Sequence, residues 1–468
     1  MTRTDYPVVL IHGFDNAEHE GLTTSTVRVT LSGVFGYGRK RPLWGRWLPY
    51  WPERALDEMD ANYLVVDVGA LSSDHDRACE AFYQLYGGTV DYGEAHAAQY
   101  GHGRFGETFK QPLHPLWSGE NPVHLLGHSV GATTAIELYQ LVSQDFFGVG
   151  SDHTWIKSIV SIAGPLSGTT LTHFFGWHDA KLVPRTLGHA IGAWLCIWHR
   201  LQSHFPVLKN VFDYRMPQWE FVTSYREMVS SRNRILASPD LAVYDILPAR
   251  RLKRNSTLVH MDKPFLVSVV TSSSSRVPII ELLMASVIVL LGLTSVVSWH
   301  VFDAVEISIM CGIAAFAAWL WLRQRIFLPM MQWRMRRCVQ RLHEIFDGFV
   351  HSEWEHNDGA VNIASMSYPQ SLSSTQSTDS DSDASTASPT SSSEIIAFPP
   401  VSRLRPTRFG FLKLMEDHSE DEKRPRFERG RWYVHKVASN HKAGTNFDRR
   451  SPALFCQLLR LIANEFEQ

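Results

Sequence analysis

Residues 122–142 read PVHLLGHSVGATTAIELYQLV. An apolar run of strand length leads into Gly127-His128-Ser129-Val130-Gly131, and a helical pattern follows directly. A strand that turns sharply into a helix displays the side chain at the turn, and glycines on either side let the backbone pack closely. The start of the helix also favours negative charge that develops nearby. G-x-S-x-G alone is a weak signal, and an ordinary glycine-rich turn can produce it. The strand before it and the helix after it make Ser129 the candidate nucleophile. A serine nucleophile needs donors for the oxyanion. The N–H of Val130, next in the chain, supplies one. The loop after VVLI, in His12-Gly13-Phe14, supplies the second through the N–H of Phe14.

Outward from this stretch, further apolar runs of strand length end in turn residues: VVLIHG, YLVVDVG, IKSIVSIAG and PFLVSVVTS. Helical patterns such as DRACEAFYQLY lie between some of them. Buried strands alternating with helices predict an α/β fold with a mostly parallel sheet.

Bulk composition excludes some classes. Lys plus Arg total 45 and Asp plus Glu total 47, a net charge of −2, so no basic field points to nucleic acid. Five scattered cysteines argue against a disulfide framework or a thiolate metal site. The first residues, MTRTDYPVVLIHGF, lack the features of a secretory signal. Two uncharged runs, Leu282 to Trp299 and Ile307 to Leu322, are separated by a short gap and followed by Arg323, Arg325, Arg334, Arg336, Arg337 and Arg341. Their lengths and this basic flank suit a transmembrane or re-entrant hairpin; a pair of buried core helices is the alternative. The segment from Pro369 to Glu394 is rich in Ser, Thr and Asp and predicts a disordered loop.

At the level of motifs the chain resembles the zinc-containing, thermostable secreted lipases of Gram-positive bacteria. The stretch GALSSDHDRACEAFYQLYGGTVDYGEAHAAQYGHGRFG carries the resemblance most specifically. PVVLIHGF, HLLGHSVG, SIAGPLSGTTL, EHNDGAVN and the C-terminal helix match in the same order. The likeness is good through the first 175 residues, patchy to Tyr244 and absent across the apolar pair. It returns near Trp354 and again from Gly430. The resemblance implies an α/β-hydrolase that cleaves triacylglycerol or other carboxylic esters through an acyl-enzyme. It implies Asp358, in His356-Asn357-Asp358-Gly359, as the acid. It implies His441, in SNHKAG, as the base, with His435 in WYVHKV as a rival. It also implies a structural zinc held by Asp76, His96, His102 and Asp240. A calcium site is not expected, because Ala443 stands where the family has an acidic ligand and Asp448 sits alone beside Arg449 and Arg450.

The organisation expected is a hydrolase core split by two insertions. Residues 1–276 hold the first part with the zinc subdomain, and His173 to Phe221 its lid and acyl pocket. Residues 277–322 form the apolar hairpin and 323–366 the core segment with the acid. Residues 367–400 form the Ser-rich loop, and 401–468 the last part with the histidine. The function expected is a lipase on neutral lipid esters drawn from a membrane or lipid-droplet surface. The expected place is an intracellular membrane, with the catalytic side facing the cytosol. A phospholipase or acyltransferase on the same site, or an inactive membrane-anchored scaffold, are the alternatives.

Overall fold

The structure, a computed structural model, describes residues 3–13, 49–178, 181–219, 234–272, 279–301, 305–371 and 427–467. Six strands pair into one sheet. They are β1 (Val8–Ile11), β2 (Tyr63–Val65), β3 (Val123–His128), β4 (Ile156–Ile162), β5 (Phe265–Thr271) and β6 (Trp432–Val437). Their order is β6-β5-β4-β3-β1-β2, and every neighbouring pair is parallel. All residues of β3 and β5 are buried. That is why these strands read as near-continuous apolar runs, since a parallel sheet is covered on both faces.

Side chains along β1 alternate between two cores, as the period of a strand requires. Val9 and Ile11 pack with α1 (Asp74–Tyr86) and α2 (Val130–Ser143), through Phe82, Leu85, Ala135 and Tyr139. Val8 and Leu10 face the other layer, where Phe455, Leu458 and Leu459 of the C-terminal helix Ser451–Leu461 are buried. The connection leaving β1 runs to β2 on one side and the connection leaving β3 runs to β4 on the other, so the strand order reverses between β1 and β3. In open α/β sheets the crevice at the carboxyl ends of such strands is where ligands bind. Gly13 follows β1 and Ser129 follows β3 at that edge.

Additions decorate this frame. Gly88–Asp91 pairs antiparallel with Phe105–Phe109, and Trp177–His178 with Lys181–Leu182. Helix α3 (Leu187–His204) is capped by Thr186, whose Oγ1 accepts from the His189 N–H. Helices α4 (Ile279–Val301) and α5 (Val305–Val339) follow, and they pack against each other.

The membrane reading of this pair is corrected by the structure. Among the described residues no helix is long and apolar enough to cross a membrane. The expected intracellular-membrane location with a cytosol-facing catalytic side is not supported. The second uncharged run does not end as a separate element at residue 322. Its helix continues to Val339, and in that continuation Leu328, Met331, Met335 and Val339 are buried against the body of the protein. The Ser-rich segment falls largely on residues 372–426, outside the described residues.

Candidate active site

The elbow after β3 is built from backbone crowding. Ser129 has φ 55° and ψ −128°, a conformation that a non-glycine residue adopts only when its surroundings enforce it. A Cβ at Gly127 would lie 2.2 Å from the Gly131 carbonyl oxygen, and one at Gly131 would lie 2.1 Å from that of Ile11. The two glycines of the motif are therefore required by close approach. The Ser129 N–H donates to the Ile162 carbonyl at 2.9 Å, which fastens the turn to β4. Gly13 is wedged against the same turn, where a Cβ would meet the His128 carbonyl oxygen at 2.4 Å and the Ser129 Cβ at 2.5 Å.

Three residues from distant parts of the chain meet here. His441 Nε2 lies 2.9 Å from Ser129 Oγ, and its Nδ1 lies 2.8 Å from Asp358 Oδ2. Asp358 is fully buried. Burial alone raises a carboxyl, but the facing His441 and the bonds from Thr271 and Val361 outweigh it, and the group sits below its ordinary range. The Thr271 hydroxyl donates to Oδ2 at 2.5 Å, and the Ala360 and Val361 N–H groups donate to Oδ1 at 3.0 and 2.8 Å. The rival His435 is elsewhere. It lies within β6 opposite Val269, and burial pushes its imidazole down to about 4. Val130 starts α2, directly after the serine. Phe14 lies outside the described residues.

The loop that precedes Phe14 is held from behind. Arg77 on α1 donates from Nε to Thr134 Oγ1 at 2.9 Å, from Nη1 to the Gly69 carbonyl at 2.8 Å, and from Nη2 to the His12 carbonyl. The acid loop is buttressed by α5. Gln332 Nε2 donates to the Asn357 carbonyl at 3.2 Å, and Asn357 Nδ2 donates back to the Gln332 carbonyl at 3.3 Å. Sequence reading missed Thr271 and Gln332 at this site. No local spacing marks them, because each acts across a long stretch of chain.

Asp76, His96, His102 and Asp240 converge in a second cluster, their ligand atoms within 4.8 Å of one another. Asp76 Oδ1, His96 Nε2, His102 Nε2 and Asp240 Oδ2 are buried and face one another, with His96 Nε2 3.2 Å from Asp76 Oδ1 and His102 Nε2 3.1 Å from Asp240 Oδ2, yet none of them has an aligned hydrogen bond. Buried polar atoms left this way are costly, and a cation among them would satisfy all four. The surrounding bonds agree. His102 Nδ1 donates to the Gly103 carbonyl at 2.8 Å, which leaves Nε2 a free lone pair, and Gln218 donates to Asp76 Oδ2 at 2.7 Å. The residues present fit a bound metal ion.

Comparison with known proteins places the chain. A family model described as "Lipase-like, C-terminal domain" matches residues 4–146. Lipase 2 of Staphylococcus aureus strain MRSA252 is 28% identical over 265 residues, covering 52% of this chain and 34% of that protein. Lipase 1 of strain Mu50 is 31% identical over 186 residues, covering 36% of this chain and 25% of that protein. The chain thus spans about a third or less of the length of these curated relatives. Among solved structures, lipase 1 from Pelosinus fermentans aligns with a TM-score of 0.58 at 21% identity, covering 98% of this chain and 99% of its own. EstA from Clostridium botulinum aligns with a TM-score of 0.57 at 19% identity, covering 99% of this chain and 88% of its own. These likenesses agree with the parallel sheet described above and give the fold as that of an α/β-hydrolase.

Proposed function

We propose that this chain, a divergent relative of the bacterial lipases, is a serine ester hydrolase acting on lipid esters. One observation carries the reading: His441 bridges Ser129 and Asp358 through its two ring nitrogens, at 2.9 and 2.8 Å, on a strained strand-to-helix turn. In this reading His441 takes the Ser129 proton as Oγ attacks the ester carbonyl. The proton then passes to the departing alcohol. Asp358 fixes the ring tautomer and stabilises the imidazolium that forms. The oxyanion is met by the N–H of Val130 and by the N–H of Phe14. Water then cleaves the acyl-enzyme by the same steps.

The lipid ester class follows from the relatives named lipase, and within it we read neutral lipid esters as the substrate. Helix α3 and its neighbours, from His173 to Phe221, take the role of lid and acyl pocket. The ester is presented at a lipid surface, such as a lipid droplet, and the exposed Leu290, Leu293, Ile309 and Met310 of the helical pair suit contact with it. The second cluster is read as a zinc site. Two imidazole nitrogens and two carboxylates suit that ion, and four protein ligands leave no position open for catalysis, so zinc supplies structural cross-linking when bound.

The test is hydrolysis of short-chain and long-chain esters, with fluorophosphonate labelling, on the wild type and Ser129→Ala. Labelling at Ser129 and ester cleavage by the wild type alone are expected. An unlabelled wild type without esterase activity overturns the reading.

A further inference from the structure

The residue before the serine makes contacts that the proposed chemistry does not use. His128 is fully buried, with its ring edge-on to Tyr50 at 5.8 Å between centroids. Tyr50 Oη lies 2.6 Å from His128 Nδ1, and His128 Nε2 lies 2.8 Å from the backbone carbonyl oxygen of His441. At the other end, the Gly13 N–H donates to Tyr50 Oη at 3.1 Å.

Proton counting gives this chain one direction. A carbonyl oxygen only accepts, so His128 Nε2 must carry a proton. In a neutral ring Nδ1 is then an acceptor, and it takes the Tyr50 hydroxyl proton. The Tyr50 oxygen in turn accepts from Gly13. Every group is satisfied by one arrangement. Burial, with His441 nearby, keeps the ring neutral by pushing the imidazole down to about 3, so this arrangement persists across the working range of pH.

The three segments joined this way are the loop after β1, the elbow and the histidine loop. We propose that Tyr50 and His128 are positioning residues that hold the oxyanion loop and the base loop in register about Ser129. The inference rests on the serine-hydrolase reading above. The Gly13 N–H belongs to the peptide immediately before the one whose N–H would meet the oxyanion, and Gly13 lies so close to the elbow that a Cβ on it would clash there. The carbonyl held by His128 belongs to the residue whose ring abstracts the proton. Neither Tyr50 nor His128 hydrogen-bonds Ser129 Oγ or Asp358 among the bonds above; their hydrogen bonds reach the site through the backbone of Gly13 and His441, and the His128 ring also packs against the His441 ring at 5.2 Å between centroids.

The prediction separates transition-state from ground-state effects. Tyr50→Phe removes one oxygen from a buried ring. Misplacing the oxyanion loop should slow fluorophosphonate labelling of Ser129 and lower kcat by about ten- to a hundred-fold, with KM nearly unchanged. Affinity for a boronic acid that mimics the tetrahedral state should fall with kcat, while affinity for a non-hydrolysable ether analogue should hold. His128→Gln retains an N–H for His441 and an oxygen for Tyr50, so it should label about ten times faster than His128→Leu. Nitrogen-15 spectra of the wild type should show the His128 ring neutral and protonated at Nε2 from pH 5 to 9.

The outcomes are distinct. A wild type that fluorophosphonate does not label overturns the serine reading and the relay with it. A labelled wild type with Tyr50→Phe labelling at the same rate overturns the relay alone. So does equal labelling of His128→Gln and His128→Leu, or boronic-acid and ether affinities that fall together.

Discussion

Ser129 occupies the left-handed region of backbone space at φ 55°. A residue held there costs about 1–3 kcal/mol, which the packing of Gly13, Gly127 and Gly131 must offset. Alanine has the same backbone demands as serine, so Ser129→Ala should keep the wild-type melting temperature. It should lose on the order of 10⁶ in ester turnover. Turnover within tenfold of the wild type would remove Ser129 from its proposed role. The two histidines give a second prediction at this scale. His441→Ala should lose nearly as much activity as Ser129→Ala, because the ring that touches both partners is gone. His435→Ala should retain kcat within about tenfold, since its ring is buried in β6 and its loss costs packing rather than proton transfer. Steady-state kinetics on both variants decide it, and the reverse ranking would make His435 the base.

At the scale of elements, α5 acts as a buttress. Its buried continuation reaches the acid loop through the reciprocal pair between Gln332 and the Asn357 backbone and side chain. Gly359, at φ 105°, packs against Leu328 of the same helix, where a Cβ would come 2.9 Å from Leu328 Cδ2. Gln332→Ala should therefore lower kcat severalfold and cost about 1 kcal/mol of stability by freeing the Asn357 carbonyl. Unchanged kinetics and denaturant midpoint would show that the helix merely covers the loop. The candidate metal cluster joins other elements: Asp76 on α1, His96 on the helix Glu94–Tyr100, His102 in the loop after it and Asp240 before Ala242–Asp245. Purified protein should carry one zinc per chain. Chelation, or the double variant His96→Ala/His102→Ala, should lower the melting temperature while leaving some activity at low temperature. Metal-free protein with full thermal stability would refute the site.

Across the whole molecule, buried histidines line the sheet. His12 follows β1, His124 and His128 lie on β3, and His435 lies on β6. Burial lowers all four below the ordinary histidine value. A lowered imidazole binds its proton in the unfolded chain first. Its contribution to stability is full above pH 6.5, where both states are neutral, and declines as pH falls toward the folded value. Glu80, raised by burial to about 7, works the opposite way between pH 4.5 and 7, because its proton is held by the folded chain. A single replacement isolates one contribution. His435→Leu should lose less stability than the wild type between pH 6.5 and pH 4, as read from chemical denaturation at each pH. Parallel curves for the two proteins would contradict the shift assigned to His435.

The sequence by itself determined what depends on neighbours in the chain. Period and glycine spacing set the strands at Val8–Ile11 and Val123–His128, the helices at Asp74–Tyr86 and Val130–Ser143, and the elbow between them. The ligand set Asp76, His96, His102 and Asp240 was legible only through resemblance, since no spacing announces it. Tertiary structure decided the rest. Ser129 and His441 are 312 residues apart and Gly13 and Tyr50 are 37 apart, so no periodicity predicts either contact. The choice between His441 and His435 is a matter of which loop end the parallel sheet delivers to the elbow. The apolar run after Ile307 was read as an embedded element because hydropathy records how apolar a side chain is, and not what covers it. Only the fold showed that its helix continues beyond the run to Val339: Leu328, Met331 and Met335 of that continuation are buried on the protein, whereas Ile307, Ile309 and Met310 of the run stay exposed, because burial depends on which elements pack against a helix and not on how apolar it is.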